Sequence, residues 1–200
     1  MKRVDSLGWS ESLSIWRSSL SNPSEKYFRK LAKHPSASIQ VGTHWLFWSV
    51  AVFFSLQQIE TISWRLYQNI AINPWTFLYI PLAPFLLANF AFLPMFGLSH
   101  ILSKWFGGRG NIEKTAFVYS SIFSPTIIIL WLLRFTLHFV SINFLIYLFV
   151  LYVLFLAVFA LNTLYNLSWI KAVIVFVISS LISGIVAISF LGILSGFARL

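Results

Sequence analysis

The sequence predicts an all-α protein, a polytopic transmembrane helical bundle with five spans. Of its 200 residues, 58% are hydrophobic and only 10% are Asp, Glu, Lys or Arg, whereas roughly a quarter of a soluble domain is charged. Stretches without any of these four residues cover 75–99, 115–133, 135–170 and 172–198. About 20 helical residues cross the roughly 30 Å hydrocarbon layer of a bilayer. Each stretch is therefore long enough to hold a membrane-spanning helix.

Residues 1–37 are predicted to form a cytoplasmic tail ahead of a transmembrane domain of residues 38–200. Pro23 divides the tail, and Ser24 is suited to cap a second short helix. Large apolar residues recur at helical spacing before the proline, and cations follow it: Trp9, Leu13, Trp16 and Leu20, then Lys26, Arg29, Lys30 and Lys33. Either both amphipathic helices lie at the membrane interface with their cations towards anionic headgroups, or the tail is partly disordered and only sets the topology.

The apolar stretches and the polar residues between them define the spans. The predicted spans are residues 39–58, 75–101, 115–133, 140–164 and 169–197. The first is followed by a polar connection that contains Glu60 and Arg65. The second contains Pro81, Pro84 and Pro94, each of which removes a backbone donor, so this helix is predicted to be kinked or broken.

The distribution of Lys and Arg predicts the orientation of the spans. Eleven of these residues lie in the tail, the 102–114 loop and the 165–171 connection, and three lie on the other side, Arg65, Arg134 and Arg199. Cytoplasmic segments carry the excess of Lys and Arg. The N-terminus and the 102–114 loop are therefore predicted to be cytoplasmic and the C-terminus exoplasmic. The net charge of +9 is explained by topology, and nucleic acid is not expected as a partner.

The longest polar interruption inside the apolar chain, residues 100–125, carries the candidate contact residues. These are Lys104, Gly107, Gly108, Arg109, Gly110 and Lys114. The glycines predict a turn that ends the second span, because glycine readily adopts positive φ. No Gly-Lys-Ser/Thr ending follows them and no βαβ unit surrounds them, so a nucleotide-binding loop is not predicted. The cations are candidates for contact with membrane lipids or with a protein partner.

The sequence contains no recognisable catalytic or metal-binding constellation. The predicted spans lack Asp and Glu, and neither an HExxH motif nor a nucleophile elbow is present. The histidines fall on separate elements, at His34, His44, His100 and His138. Cysteine is absent, which excludes thiolate ligands and cysteine nucleophiles. The protein is expected not to be an enzyme and to need neither a cofactor nor a metal.

Small residues recur four apart in the last span. Ser180 and Gly184 form one such pair, and Gly192 and Gly196 form another. This spacing lets two helix backbones approach closely. The contact lies either within the bundle or between copies of the protein in a homo-oligomer.

A set of short motifs is distributed over the predicted spans: His100 near the end of the second span, Gly107-Gly108-x-Gly110 after a short basic linker, Tyr119 six residues before Pro125, and Ser168-x-x-Lys171-Ala172 at the start of the last span. With these motifs the chain resembles the Yip family of five-span membrane proteins, which is named for interaction with Ypt/Rab GTPases. The resemblance covers about residues 25–195. No catalytic residue follows from the resemblance.

In eukaryotic members, the resemblance implies roles in vesicle trafficking and in GTPase-linked membrane organisation. This chain lacks the Asp-Leu-Tyr-Gly-Pro element that those members often carry before the first span, and its tail is short. Both departures argue against direct Rab binding. They favour a prokaryotic member, for which a bacterial cytoplasmic membrane is the expected location.

Two functions are compatible with the sequence. The first is a membrane scaffold or adaptor whose tail and 102–114 loop recruit a partner or shape the bilayer. The alternative is a channel, permease or transporter subunit for a neutral or lipidic solute. It is motivated by the proline-rich second span and by polar residues at membrane depth, namely Asn89, Ser120, Ser121, Ser124 and Asn162.

Overall fold

A computed structural model describes residues 8–67, 91–137 and 143–197, and all regular secondary structure in these ranges is helical. The described residues form seven helices: α1 (Trp9–Ser21), α2 (Glu25–Leu31), α3 (Ile39–Tyr67), α4 (Leu93–Trp105), α5 (Ile112–Leu137), α6 (Asn143–Tyr165) and α7 (Trp169–Phe197). The prediction of an all-α protein is confirmed for this part of the chain.

Within the described ranges, two segments are long and apolar enough to cross a membrane, Phe144–Tyr165 in α6 and Trp169–Ser189 in α7. Only 33% of the most apolar window of each is buried inside the protein, whereas the core helix of a soluble protein would be mostly buried. The two helices therefore present broad apolar surfaces outwards, which indicates contact with lipid.

The remaining predicted spans differ from the observed helices in extent. Helix α3 starts at the predicted position and continues to Tyr67, through Glu60 and Arg65, because this stretch lacks the Gly or Pro that would end a helix. The second predicted span begins outside the described residues, which exclude 68–90 with Pro81 and Pro84. Pro94 occupies the first turn of α4, where its missing N–H removes no intrahelical hydrogen bond.

Helices α3 and α5 cross closely at Gly42. A Cβ at this position would lie 2.8 Å from Ser120 Oγ and 3.0 Å from the carbonyl oxygen of Ala116. Next to the crossing, Trp45 packs on Phe117 with ring centroids 5.0 Å apart. Glycine thus permits a backbone approach that any larger residue would prevent. In contrast, a Cβ at Gly184 would meet no atom within 4 Å.

The N-terminal helices pack against the bundle and share its core. Trp16 is 5% exposed and meets Trp45 edge to face, with centroids 5.8 Å apart. Ser19 Oγ donates to Ser121 Oγ at 2.9 Å on α5, and the fully buried Phe28 packs against Phe159 of α6. Burial of these aromatic side chains anchors α1 on α5 and α2 on α6.

Hydrogen bonds of Ser24 and Tyr27 order the connection between α1 and α2. Ser24 Oγ accepts a hydrogen bond from the amide of Tyr27 at 3.1 Å and so caps α2. Burial raises the pKa of Tyr27, although hydrogen bonds with Ser19 and Ser18 lower it. The neutral hydroxyl donates to the carbonyl of Ile15 at 3.0 Å, which links the two helices.

Candidate functional site

The glycine loop, residues 106–111, connects α4 to α5. Gly107 has φ +86°, in the left-handed region that glycine adopts without strain. Its amide donates to the Lys104 carbonyl at 2.9 Å, and the amide of Gly108 donates to the Ser103 carbonyl at 2.8 Å. These two bonds form a Schellman motif, so the glycines end α4 as the sequence predicts.

The other glycines of the loop let its backbone pack on Tyr165, at the end of α6. A Cβ at Gly110 would lie 2.6 Å from Tyr165 Cδ1. At Gly108, a Cβ would lie 2.8 Å from the Ser103 carbonyl oxygen and 3.0 Å from Tyr165 Cβ. The amide of Arg109 donates to the Tyr165 carbonyl at 3.2 Å. Contact with the buried ring therefore explains Gly110, and the Ser103 carbonyl together with Tyr165 explains Gly108.

The hydroxyl of Tyr165 joins three helices. It lies 2.8 Å from His100 Nδ1 on α4 and 3.0 Å from Thr115 Oγ1 on α5. Thr115 Oγ1 also lies 2.7 Å from the carbonyl of Asn111, which precedes α5. Hydrogen bonds between buried polar groups of this kind specify a single arrangement of the helices. Sequence reasoning did not identify Tyr165 or Thr115 as site residues.

Two cations from other elements bind backbone or side-chain oxygens at the same end of the bundle. Lys171, in the first turn of α7, donates through Nζ to the Phe106 carbonyl at 3.3 Å. Arg29 of α2 donates through Nη2 to Asn166 Oδ1 at 2.7 Å and through Nε to Glu25 Oε1 at 2.8 Å. The glycine loop, the α6–α7 connection and α2 thus form one continuous surface.

The structure separates the predicted site residues into two groups. The loop residues lie at this end of the bundle together with Ser168 and Lys171, which flank the start of α7, and Lys104 and Arg109 are exposed. Tyr119 and Pro125 are buried inside the bundle on α5. Tyr119 packs between Phe96 and Phe123. These two positions contribute to the core rather than to the surface.

A basic pocket lies beside the glycine loop. It has a volume of about 220 Å³ and is bordered by α2, the loop, the first turn of α5 and the last turns of α6. Its charged lining residues are all cations: Arg29, Lys33, Arg109 and Lys114. Thr163 also lines it and is 2% exposed. Chemically, this pocket is suited to attract an anion.

The described histidines all have aromatic or hydrogen-bonding contacts. His34 stacks on Phe117, His44 accepts from Trp48 Nε1 at 2.8 Å, and His100 contacts Tyr165. His138 lies outside the described residues. Within 8–67, 91–137 and 143–197, no group of three or more His, Asp or Glu side chains could hold a metal ion.

The helical fold and its two lipid-facing apolar helices define a membrane protein. The family model of the Yip1 domain matches residues 17–191. The chain therefore belongs to the Yip family, which confirms the resemblance seen in its motifs. The match begins within α1, so α2 and its contacts with α6 belong to the family domain. Neither the curated proteins nor the solved structures provide a significant match.

Proposed function

We propose that this protein is a non-enzymatic, five-span membrane adaptor whose basic end surface recruits a protein partner at the cytoplasmic face. The observation that carries the proposal is that α2, the glycine loop and the α6–α7 connection lie together at one end of the bundle. We call this the end surface. An exposed cation and an exposed tryptophan, Lys104 and Trp105, project from it. Trp105 is 85% exposed, and an amphipathic aromatic beside a cation is typical of recognition surfaces.

The proposed orientation places this end on the cytoplasmic side of a bacterial cytoplasmic membrane. The absence of cysteine makes single-cysteine labelling a direct test. Lys104→Cys is expected to resist a membrane-impermeant maleimide in intact cells and to react after permeabilisation. Arg199→Cys is expected to react in intact cells, because five spans place the two positions on opposite sides. Labelling of both variants in intact cells would contradict the topology.

The adaptor proposal predicts a partner that depends on the end surface. Affinity purification in mild detergent, followed by mass spectrometry, should recover a reproducible partner with the wild-type protein. The variant Lys104→Gln/Trp105→Ala should lose it, since truncation of an interface hot spot costs about 2 kcal/mol or more. A tail deletion is a poor variant, because it would expose the packing partners of Trp16 and Phe28.

The matched control is Tyr147→Ala, which removes an aromatic side chain that is 67% exposed on α6. Tyr147 lies near the start of α6, and the end surface lies near its C-terminal end. This variant should retain the partner. If well-folded wild-type protein recovers no reproducible partner, or if both variants lose it equally, the adaptor proposal is wrong.

The channel or transporter alternative lacks comparable support. Several of the polar side chains that motivated it donate to backbone carbonyls: Ser120 to Ala116, Ser121 to Val118, and Asn162 to Leu167. These bonds satisfy Ser120, Ser121 and Asn162 without a solute, whereas the buried Ser124 Oγ has no hydrogen-bond partner among the described residues. Asn89 lies outside the described residues.

A further inference from the structure

We infer that the basic pocket binds a phosphate monoester, carried by the headgroup of a membrane lipid. The inference needs no protein partner and therefore stands apart from the adaptor proposal. It rests on the charge of the pocket, on a buried hydroxyl in its lining, and on its size and position. Each of these is a property of side chains that come together only in the folded protein.

The pocket has an excess of positive charge. Arg29 is paired with Glu25 at 2.8 Å, but Lys33, Arg109 and Lys114 have no carboxylate partner among the described residues. Glu113 is adjacent to Lys114 in sequence but does not line the pocket. A phosphate monoester carries about −1.5 to −2 charges at pH 7, whereas a diester carries one. Three uncompensated cations therefore favour the monoester.

Thr163 provides an independent indication of a ligand. Its Oγ1 is buried and forms no hydrogen bond with any residue in the described part of the chain. Six other described residues also have a buried polar atom without a partner, but Thr163 is the one of these seven that lines the pocket, and an unsatisfied buried hydroxyl is destabilising. Because Thr163 lines the pocket, a phosphate oxygen on the pocket floor would supply the missing acceptor.

The backbone at the rim also favours an anion. Gly110 and Asn111 line the pocket immediately before α5, and Lys114 lies in the first turn of this helix of 26 residues. The N-terminus of a helix carries a partial positive charge that attracts phosphate, although Asn111 Oδ1 already accepts a hydrogen bond from the amide of Glu113 at 2.8 Å. The helix dipole thus adds to the field of the side-chain cations.

Size and position identify the lipid as the source. A volume of about 220 Å³ is below the roughly 300–1,000 Å³ of pockets for drug-sized ligands, so it accommodates a small headgroup better than a nucleotide. Trp169, at the start of α7, is exposed at the same end of the bundle. Exposed tryptophans concentrate at the membrane–water interface. The pocket therefore lies near the level of the lipid phosphates.

Isothermal titration calorimetry of the purified full-length protein in a non-ionic detergent tests this site. The probes are dioctanoyl phosphatidic acid, dioctanoyl phosphatidylglycerol and inorganic phosphate. Phosphatidic acid, a monoester, should bind about tenfold or more tightly than phosphatidylglycerol, a diester, since one extra charged hydrogen bond contributes about 1.5–3 kcal/mol.

Substitutions distinguish lipid binding at the basic pocket from non-specific binding to a basic surface. Lys33→Gln/Lys114→Gln should weaken phosphatidic acid binding by about tenfold or more, and Thr163→Val, which preserves side-chain volume, by about threefold to tenfold. The control Lys26→Gln/Lys30→Gln removes the same charge from exposed positions that do not line the pocket. It should change the Kd by less than about twofold, as expected for screened surface charges.

Each outcome has a clear meaning. Equal binding of the two lipids, or equal weakening by both lysine pairs, would show a diffuse basic surface and overturn the inference. If Thr163→Val binds phosphatidic acid as tightly as the wild-type protein does, the Thr163 hydroxyl does not contact the phosphate. If inorganic phosphate alone binds as tightly as phosphatidic acid with the same residue dependence, phosphate chemistry is supported but the lipid source is refuted. Lys104 and Trp105 do not line the pocket. A negative result for the adaptor proposal therefore leaves the lipid-binding test unaffected.

Discussion

Replacement of Gly110 with alanine is expected to destabilise the protein by about 1–3 kcal/mol, the range observed when extra atoms are forced into packed interiors. The new Cβ would lie 2.6–2.7 Å from three ring carbons of Tyr165. The ring is fully buried and its hydroxyl is held by His100 and Thr115. It therefore cannot move aside without a further loss of hydrogen bonds.

The measurement is the thermal unfolding midpoint of purified protein in detergent. Gly97→Ala is the control, because a Cβ at Gly97 would meet nothing within 4 Å and because alanine is favoured over glycine inside a helix by about 1 kcal/mol. The control midpoint should stay the same or rise, while that of Gly110→Ala falls by several degrees. An equal decrease in both variants would contradict the close contact between Gly110 and Tyr165.

Tyr165→Ala is expected to lower the free energy of unfolding by about 3–5 kcal/mol, the range found when other large aromatic residues are removed from cores. It removes the ring against which Gly108 and Gly110 pack, together with the hydroxyl that links α4 and α5. Tyr165→Phe keeps the ring and removes only the hydroxyl. It should cost about 1–3 kcal/mol, because His100 and Thr115 each lose a buried partner.

A double-mutant cycle distinguishes these contributions from a general loss of packing. In the Tyr165→Ala background, the clash at Gly110 no longer exists, so Gly110→Ala should cost much less than in the wild-type protein. Strictly additive changes in unfolding free energy would show that the two residues do not interact. The measurement is the unfolding free energy of four proteins: the wild-type protein, the two single variants and the double variant.

Local features were predictable where a short stretch contains the whole physical cause. The apolar composition of the two segments Phe144–Tyr165 and Trp169–Ser189 is sufficient to predict helices α6 and α7, because only a helix satisfies its backbone in lipid. Ser24 caps α2 through its own side-chain hydroxyl, and Gly107 ends α4 through its own left-handed backbone conformation. Such effects depend on residue type and immediate neighbours, so they need no knowledge of the fold.

The basic pocket and the tyrosine network could not be predicted in this way. Tyr165 is separated by 65 residues from His100 and by 50 from Thr115 in the chain. Thr163 is an ordinary small polar residue in an apolar helix until the fold places it in the lining of the same pocket as Arg109 and Lys114. No local pattern distinguishes these side chains from other hydroxyls in the spans.

The sequence by itself determined the membrane class, the helical content and the family, because each follows from composition, periodicity and short motifs. It also determined which cations lie near the glycine loop along the chain. Only the tertiary structure decided that α1 and α2 are anchored in the core through Trp16 and Phe28. The packing of distant segments against one another selects those contacts. That same packing places Lys33 of the tail and Lys114 in the lining of the basic pocket.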